Sequence, residues 1–144
     1  MYGLPDCMKK PSAAEEQVLL ALWAVPAPAG RAEIARALPR RAGAQAWADA
    51  TVLNFLYRLE EKGWVRAGRQ GNRNVYTPAV SRRAYGVYVM RERLAAVFGG
   101  DLAAAVSALV SESGAGLSEL EKARAALDEK VEAAQEYDLY DPYG

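Results

Sequence analysis

The chain has 144 residues, 51% of them apolar and 25% charged, which is the composition of one ordinary domain or two small ones rather than of a disordered tract. It holds one cysteine, Cys7, and no histidine; this excludes an intramolecular disulfide and a cysteine-cluster metal site, and removes the commonest general base along with the triads built on it. The net charge is zero, yet residues 31–93 carry 13 Lys and Arg against 5 Asp and Glu, while residues 94–144 carry 3 against 10.

A basic part joined to an acidic part suggests separate tasks, with the basic part facing a polyanion. No apolar run approaches membrane-spanning length, and no apolar segment ends in a cleavage site. A cytoplasmic protein with no membrane partner is expected. No acid, base and nucleophile stand together, so no enzyme and no cofactor are expected either.

Residues 1–11, with Gly3, Pro5 and Pro11, show no period and are expected to form a flexible arm. Ser12 and Glu15 have the spacing of a capping box, and Val18, Leu19, Leu22 and Trp23 then recur at helical spacing until Pro26. Pro26 to Gly30 reads as a turn with room for a short extended piece. A second helix over about 31–38 buries Ile34, Ala35 and Leu38 and halts at Pro39. The loop after it carries Arg40 and Arg41, which could reach a phosphate or be plain solvated surface.

A third helix over about 49–62 turns Val52, Phe55, Leu56 and Leu59 inward. It leaves Thr51, Asn54, Tyr57 and Arg58 outside or at the edges. Asn54 suits adenine N6 and N7, Thr51 a phosphate or a thymine methyl, and Arg58 a phosphate or a neighbouring glutamate. An ordinary solvated helix face is the competing reading for each. Asp49 is expected to cap the helix rather than touch DNA. Gly63 supplies the left-handed stop.

Two short strands follow, over 64–69 and 73–77, around a tip containing Arg69, Gln70, Gly71, Asn72, Arg73 and Asn74. A helix followed at once by a donor-rich hairpin is the arrangement of a recognition helix and its wing, suited to double-stranded DNA. The candidate DNA-binding residues are therefore Thr51, Asn54, Tyr57, Arg58, Arg69, Asn72, Arg73 and Arg41.

Beyond the wing, Ser81 can cap a helix to about Phe98, Gly99-Gly100 breaks it, and Asp101 can cap a helix over 102–112. Ser118 and Glu121 form a second capping-box pattern and start a last helix. Tyr88, Leu94, Phe98, Leu102, Val106, Leu109, Leu120 and Leu127 are the candidate dimerisation residues, because short helices enclose too little volume to bury their own apolar stripes. A self-contained helical cap is the alternative. The end, 137–144, reads as an acidic, tyrosine-rich tail.

The expected fold class is mainly α with a small β wing. The expected domains are a flexible arm (1–11), a winged helix-turn-helix (12–80), a helical dimerisation domain (81–136) and the tail (137–144). The residues Ser12-x-x-Glu15, Ala32 to Leu38, Trp47, Thr51-Val52-Leu53, Arg58-Leu59, Glu61-Lys62-Gly63 and Val75-Tyr76-Thr77-Pro78 together resemble the penicillinase-repressor (BlaI/MecI/CopY) family. Ser81, Tyr85 and Phe98 to Leu102 extend the resemblance, which covers roughly 12–130. It implies a homodimeric repressor on a palindromic operator, with a sensor-protease as the partner that ends repression in some branches.

The chain departs from the family pattern at Ala48 and Ala50, where a hydroxyl cap and a polar residue are usual, and at Asn72, which stands where the wing arginine often does. Ala108-Leu109 occupies the place of the Asn-Phe cleavage bond, and the cysteine-rich copper motif is absent. Neither familiar route of induction is expected. Two other readings stay open: a winged-helix adaptor that binds protein, and a ligand-sensing regulator with a pocket lined by Tyr85, Tyr88 and Trp64.

Overall fold

The computed structural model describes residues 8–38 and 47–139, with the side chains of 137–139 left aside. Arg41, Cys7 and the tail beyond Leu139 lie outside the described residues. The order is α1 (Ala13–Ala24), β1 (Ala29–Gly30), α2 (Arg31–Ala37), α3 (Asp49–Glu61), β2 (Val65–Gln70), β3 (Arg73–Pro78), α4 (Arg82–Phe98), α5 (Leu102–Ser113) and α6 (Leu117–Leu139). Two compact units result, residues 1–92 and 93–144. The mainly helical class with a small antiparallel sheet is the one expected from sequence.

In the first unit, α1, α2 and α3 each contribute one apolar face to a common core of Val18, Leu19, Leu22, Ile34, Val52, Leu56 and Leu59, all with zero exposure. The 3.6-residue spacing of these positions makes this possible. Ser12 caps α1, its hydroxyl oxygen accepting from the Glu15 N–H at 3.2 Å. The glutamate of the expected capping box stays close to Ser12, whose hydroxyl donates to its Oε2 at 3.1 Å, and it takes a second partner. The Glu15 carboxylate, 1% exposed, pairs with Lys62 at the end of α3. Burial by itself raises the Glu15 pKa, but the Lys62 ammonium and the Ser12 hydroxyl outweigh it and hold the carboxyl below its usual value.

The end of α3 is a Schellman motif. Gly63 sits at φ +89°, its N–H donates to the Glu60 carbonyl at 3.0 Å, and the Trp64 N–H donates to the Leu59 carbonyl at 2.9 Å. This places Trp64 directly in the core. The hairpin that follows pairs Gln70 with Arg73 across the two-residue turn Gly71-Asn72. Gly71 at φ +64° with no positive φ at Asn72 is the II′ pattern, whose twist matches that of the strands. β3 is the central strand, because β1 adds on its other side with Ala29 opposite Tyr76 and Gly30 opposite Val75.

Residues 8–11, expected to belong to a flexible arm, lie instead along this core. The Trp64 indole N–H donates to the Lys9 carbonyl at 2.7 Å, Lys62 Nζ to the Lys10 carbonyl at 3.3 Å, and Pro11 is buried. A buried indole N–H needs a partner, and this strap of backbone supplies it. The first turns of α4 also belong here. Ser81 caps α4 by accepting from the Ala84 N–H at 3.0 Å. Tyr85 enters the core and its hydroxyl donates to Glu16 at 2.7 Å.

In the second unit, Asp101 caps α5 as expected, accepting from the Ala104 N–H at 3.0 Å. Ser118 does not cap α6. The helix begins one residue earlier, and the Leu120 N–H donates to the Gly116 carbonyl at 3.0 Å. The last helix also runs on to Leu139, into the segment expected to be tail. No residue from 93 to 136 is buried. Among the described residues, no single helix is long and apolar enough to cross a membrane.

Candidate nucleic-acid interface

The recognition helix is two-sided by construction. Val52, Leu56 and Leu59 point into the core, so the opposite face holds Leu53, Asn54, Tyr57 and Arg58, all exposed. Thr51 is half-buried at its edge. Tyr57 is the most open aromatic of the helix, at 61% exposure. Phe55, expected to face the core, packs against it half-buried, with its ring 5.0 Å from that of Trp47. No side-chain cap starts α3: Ala48 is the N-cap and its carbonyl accepts from the Thr51 and Val52 N–H groups at 3.0 and 3.1 Å.

Asp49, expected to be a cap, is the first helical residue. Its carboxylate meets Arg31 Nη1 at 2.8 Å. The contact joins the starts of α2 and α3 and gives Asp49 a cationic partner. Sequence reasoning missed Arg31, because the two residues become neighbours only when the helices pack.

The wing carries Arg66, Arg69, Gln70, Asn72 and Asn74 as exposed residues on β2, the tip and β3. Arg73 is placed differently. Its Nη2 lies 2.7 Å from Glu33 Oε1, and Glu33 Oε2 accepts from the Gly30 N–H at 3.4 Å. The Arg73 guanidinium, followed by the Gly30 N–H, lowers the Glu33 pKa. Arg73 is therefore paired with a carboxylate of its own chain while its side chain stays 54% exposed. Between these elements is a shallow cleft of about 380 Å³ lined by Gly30, Arg31, Glu33, Leu53, Arg73 and Tyr76.

Leu53 was also missed by the sequence reading. It is 38% exposed and lines this cleft beside Asn54. The signal was available, since Leu53 stands three residues after Ala50 and four before Tyr57 on one helical stripe.

Trp64, Tyr85 and Tyr88, considered as the lining of a ligand pocket, pack on one another instead. The Trp64 ring is 5.3 Å from that of Tyr85 and 5.4 Å from that of Tyr88, and Trp23 is 5.4 Å from Tyr85. Burial, with Glu16 accepting from its hydroxyl, pushes the Tyr85 phenol far above its usual range, so it stays neutral. Tyr88, expected at a dimer contact, is half-buried against this core. The other candidates differ: Phe98, Leu102, Val106, Leu109 and Leu127 are exposed, and Leu94 and Leu120 are half-buried. Among the described residues, no group of acidic, cysteine or histidine side chains is arranged to hold a metal ion.

Three helices, a strand inserted between the first two, and a hairpin directly after the third define a winged helix-turn-helix protein. Residues 11–129 match the family model described as the penicillinase repressor. The chain belongs to that family and is a DNA-binding transcriptional regulator of the repressor type, not an enzyme. Among solved structures it is similar to the monomeric form of BlaI from Bacillus licheniformis in complex with the blaP half-operator, at 26% identity, over 54% of this chain and 90% of that one, with a TM-score of 0.43. It is also similar to MepR, a transcription regulator of the Staphylococcus aureus multidrug efflux pump MepA, at 20% identity, over 85% of this chain and 79% of that one, again with a TM-score of 0.43. No curated protein matches the chain.

Proposed function

We propose that the chain is a homodimeric repressor that reads a palindromic operator, one α3 per half-site. The observation that carries the dimer is the state of the second unit. Leu102, Leu109, Leu117, Leu127 and Val131 are each more than half exposed, and no residue of 93–136 is buried. Helices with unburied apolar stripes are stabilised by covering them, and a second copy presents the same surface. A twofold dimer sets two recognition helices about one DNA turn apart, which an inverted repeat matches.

Base reading belongs to the exposed face of α3. Asn54 pairs with an adenine edge, Leu53 and Thr51 contact thymine methyl groups, and Tyr57 lies against the backbone or a base. Arg58, Arg69 and Asn72 bind phosphate and sugar, which supplies affinity without sequence information. Arg41, which precedes α3 in the sequence, adds a further phosphate contact. The reading face carries few cations, so discrimination rests on van der Waals contacts and one amide, while arginines around it hold the duplex.

The absence of an Asn-Phe bond at Ala108-Leu109 argues that any sensor-protease partner would act at a different sequence. The test is titration of duplex DNA with the full chain across a salt series, beside sedimentation of the free protein. The expected result is a dimer whose affinity falls steeply with salt. A monomer at micromolar concentration, or no duplex binding at low salt, overturns the reading.

A further inference from the structure

We infer that Arg73 is a positioning residue, which with Glu33 and Gly30 forms a clip fastening the tip end of β3 to the start of α2. The inference rests on the proposed DNA-binding role for its functional consequence, though the clip itself is a property of the free protein. Three independent features converge on it. Arg73 Nη2 is 2.7 Å from one oxygen of Glu33, and the other oxygen accepts from the Gly30 N–H at 3.4 Å. Gly30 pairs with Val75, two residues beyond Arg73 on the same strand, so backbone and side chain join the same two elements. The guanidinium lies where a side chain at position 30 would be: a Cβ built on Gly30 would come within 2.7 Å of Nη2. A side chain there would have to displace the guanidinium.

The consequence is a division of labour among the wing arginines. If the Glu33 carboxylate keeps the Arg73 guanidinium in the complex, that cation releases no counterion to DNA and adds nothing to the salt dependence of binding. It sets instead the angle at which the hairpin tip, with Arg69 and Asn72, stands against α3. An exposed ion pair contributes modestly, so the clip biases the wing rather than locking it. The turn already fixes the hairpin register, and the clip fixes the hairpin's attachment.

The test uses the full chain and three variants, Gly30→Ala, Glu33→Gln and Arg73→Gln. The Gly30→Ala change leaves the net charge unaltered and meets only the flexible end of Arg73, so the fold survives. Amide hydrogen exchange without DNA is the first readout. All three variants are expected to speed exchange at residues 73–77 by about two- to fivefold while leaving the α1 amides unchanged. Binding to a duplex in a salt series is the second. Arg73→Gln and Gly30→Ala are expected to lose similar affinity, with the slope of log affinity against log salt within about 0.3 of the parent's.

A slope reduced by about 0.9 in Arg73→Gln overturns the inference, since that is the signature of a lost phosphate contact. Unchanged wing exchange in all three variants overturns it as well. If the parent protein binds no duplex, the proposed function fails, and the exchange data still decide the clip.

Discussion

The Glu15–Lys62 pair offers a prediction in which both the size and the sign of an effect follow from the structure. Replacing Lys62 with methionine keeps most of the stem volume and removes the ammonium. Glu15 is 1% exposed, so its carboxylate would be left buried with the Ser12 hydroxyl as its remaining partner. Breaking a buried pair from one side costs about 3–5 kcal/mol. The Lys62 side chain is itself 24% exposed, which places the expected loss near the lower end of that range, at about 3 kcal/mol. In thermal unfolding this corresponds to a fall in Tm of roughly 10 °C.

The pH dependence should change as well. In the parent, the Glu15 pKa is below its unfolded value of 4.5, so its stabilisation is present above about pH 4.5 and is lost as pH falls through the folded pKa. In Lys62→Met, burial loses the ammonium that opposed it and meets only the Ser12 hydrogen bonds, so the Glu15 pKa is expected to rise. The stability gained as pH rises should then shrink, and it reverses once the raised value passes 4.5. The assay is chemical denaturation at a series of pH values between 4 and 7, with Glu15→Gln/Lys62→Met as the neutral control. A loss below about 1 kcal/mol with the parent's pH slope would refute the reasoning.

Four further outcomes are expected. Ala48→Ser should add about 1 kcal/mol of stability, measured by denaturant midpoint, because the N-cap of α3 has extended backbone and no side-chain bond. Leu56→Ala, at a position with zero exposure, should cost about 2–5 kcal/mol, and a smaller loss would mean that the core relaxes around it. Asn54→Ala should reduce discrimination at one adenine by about 1–3 kcal/mol, read by competition between duplexes, with non-specific affinity little changed. Leu109→Asp with Leu127→Asp should turn a sedimenting dimer into a monomer without altering the melting of the winged-helix unit, because both residues are exposed in the single chain.

Much of the first unit was legible because its signals are local. Ser12 starts α1, Gly63 stops α3, and the tip Gly71-Asn72 turns the hairpin, each by a backbone requirement that one or two residues satisfy. The two-residue strand Ala29–Gly30 has no period to detect, and it exists only because β3 offers an unpaired edge. Residues 8–11 likewise show no pattern, since what orders them is the distant Trp64 indole and Lys62. Ser118 illustrates the opposite error. Its spacing to Glu121 is that of a capping box, but the same pair also fits inside a helix, and Gly116 provides the entry.

At the site, helical periodicity identified which face of α3 is outward and therefore where Asn54, Tyr57 and Arg58 stand. It could not identify ion partners. Glu33 and Arg73 are 40 positions apart in sequence, and Arg31 and Asn54's neighbour Leu53 meet in one cleft only after α2, α3 and β3 pack. Charge alone marked Arg73 as a candidate DNA contact, and nothing in the sequence showed that it also pairs with Glu33.

The most direct measurement is selection of bound duplexes from a random pool by the full chain, followed by sequencing and by the stoichiometry of the selected complex. The account predicts an inverted repeat with half-site centres about 10 base pairs apart, or a multiple of that, holding two protein chains. Recovery of no enriched sequence, or of an asymmetric site bound by a single chain, would contradict it.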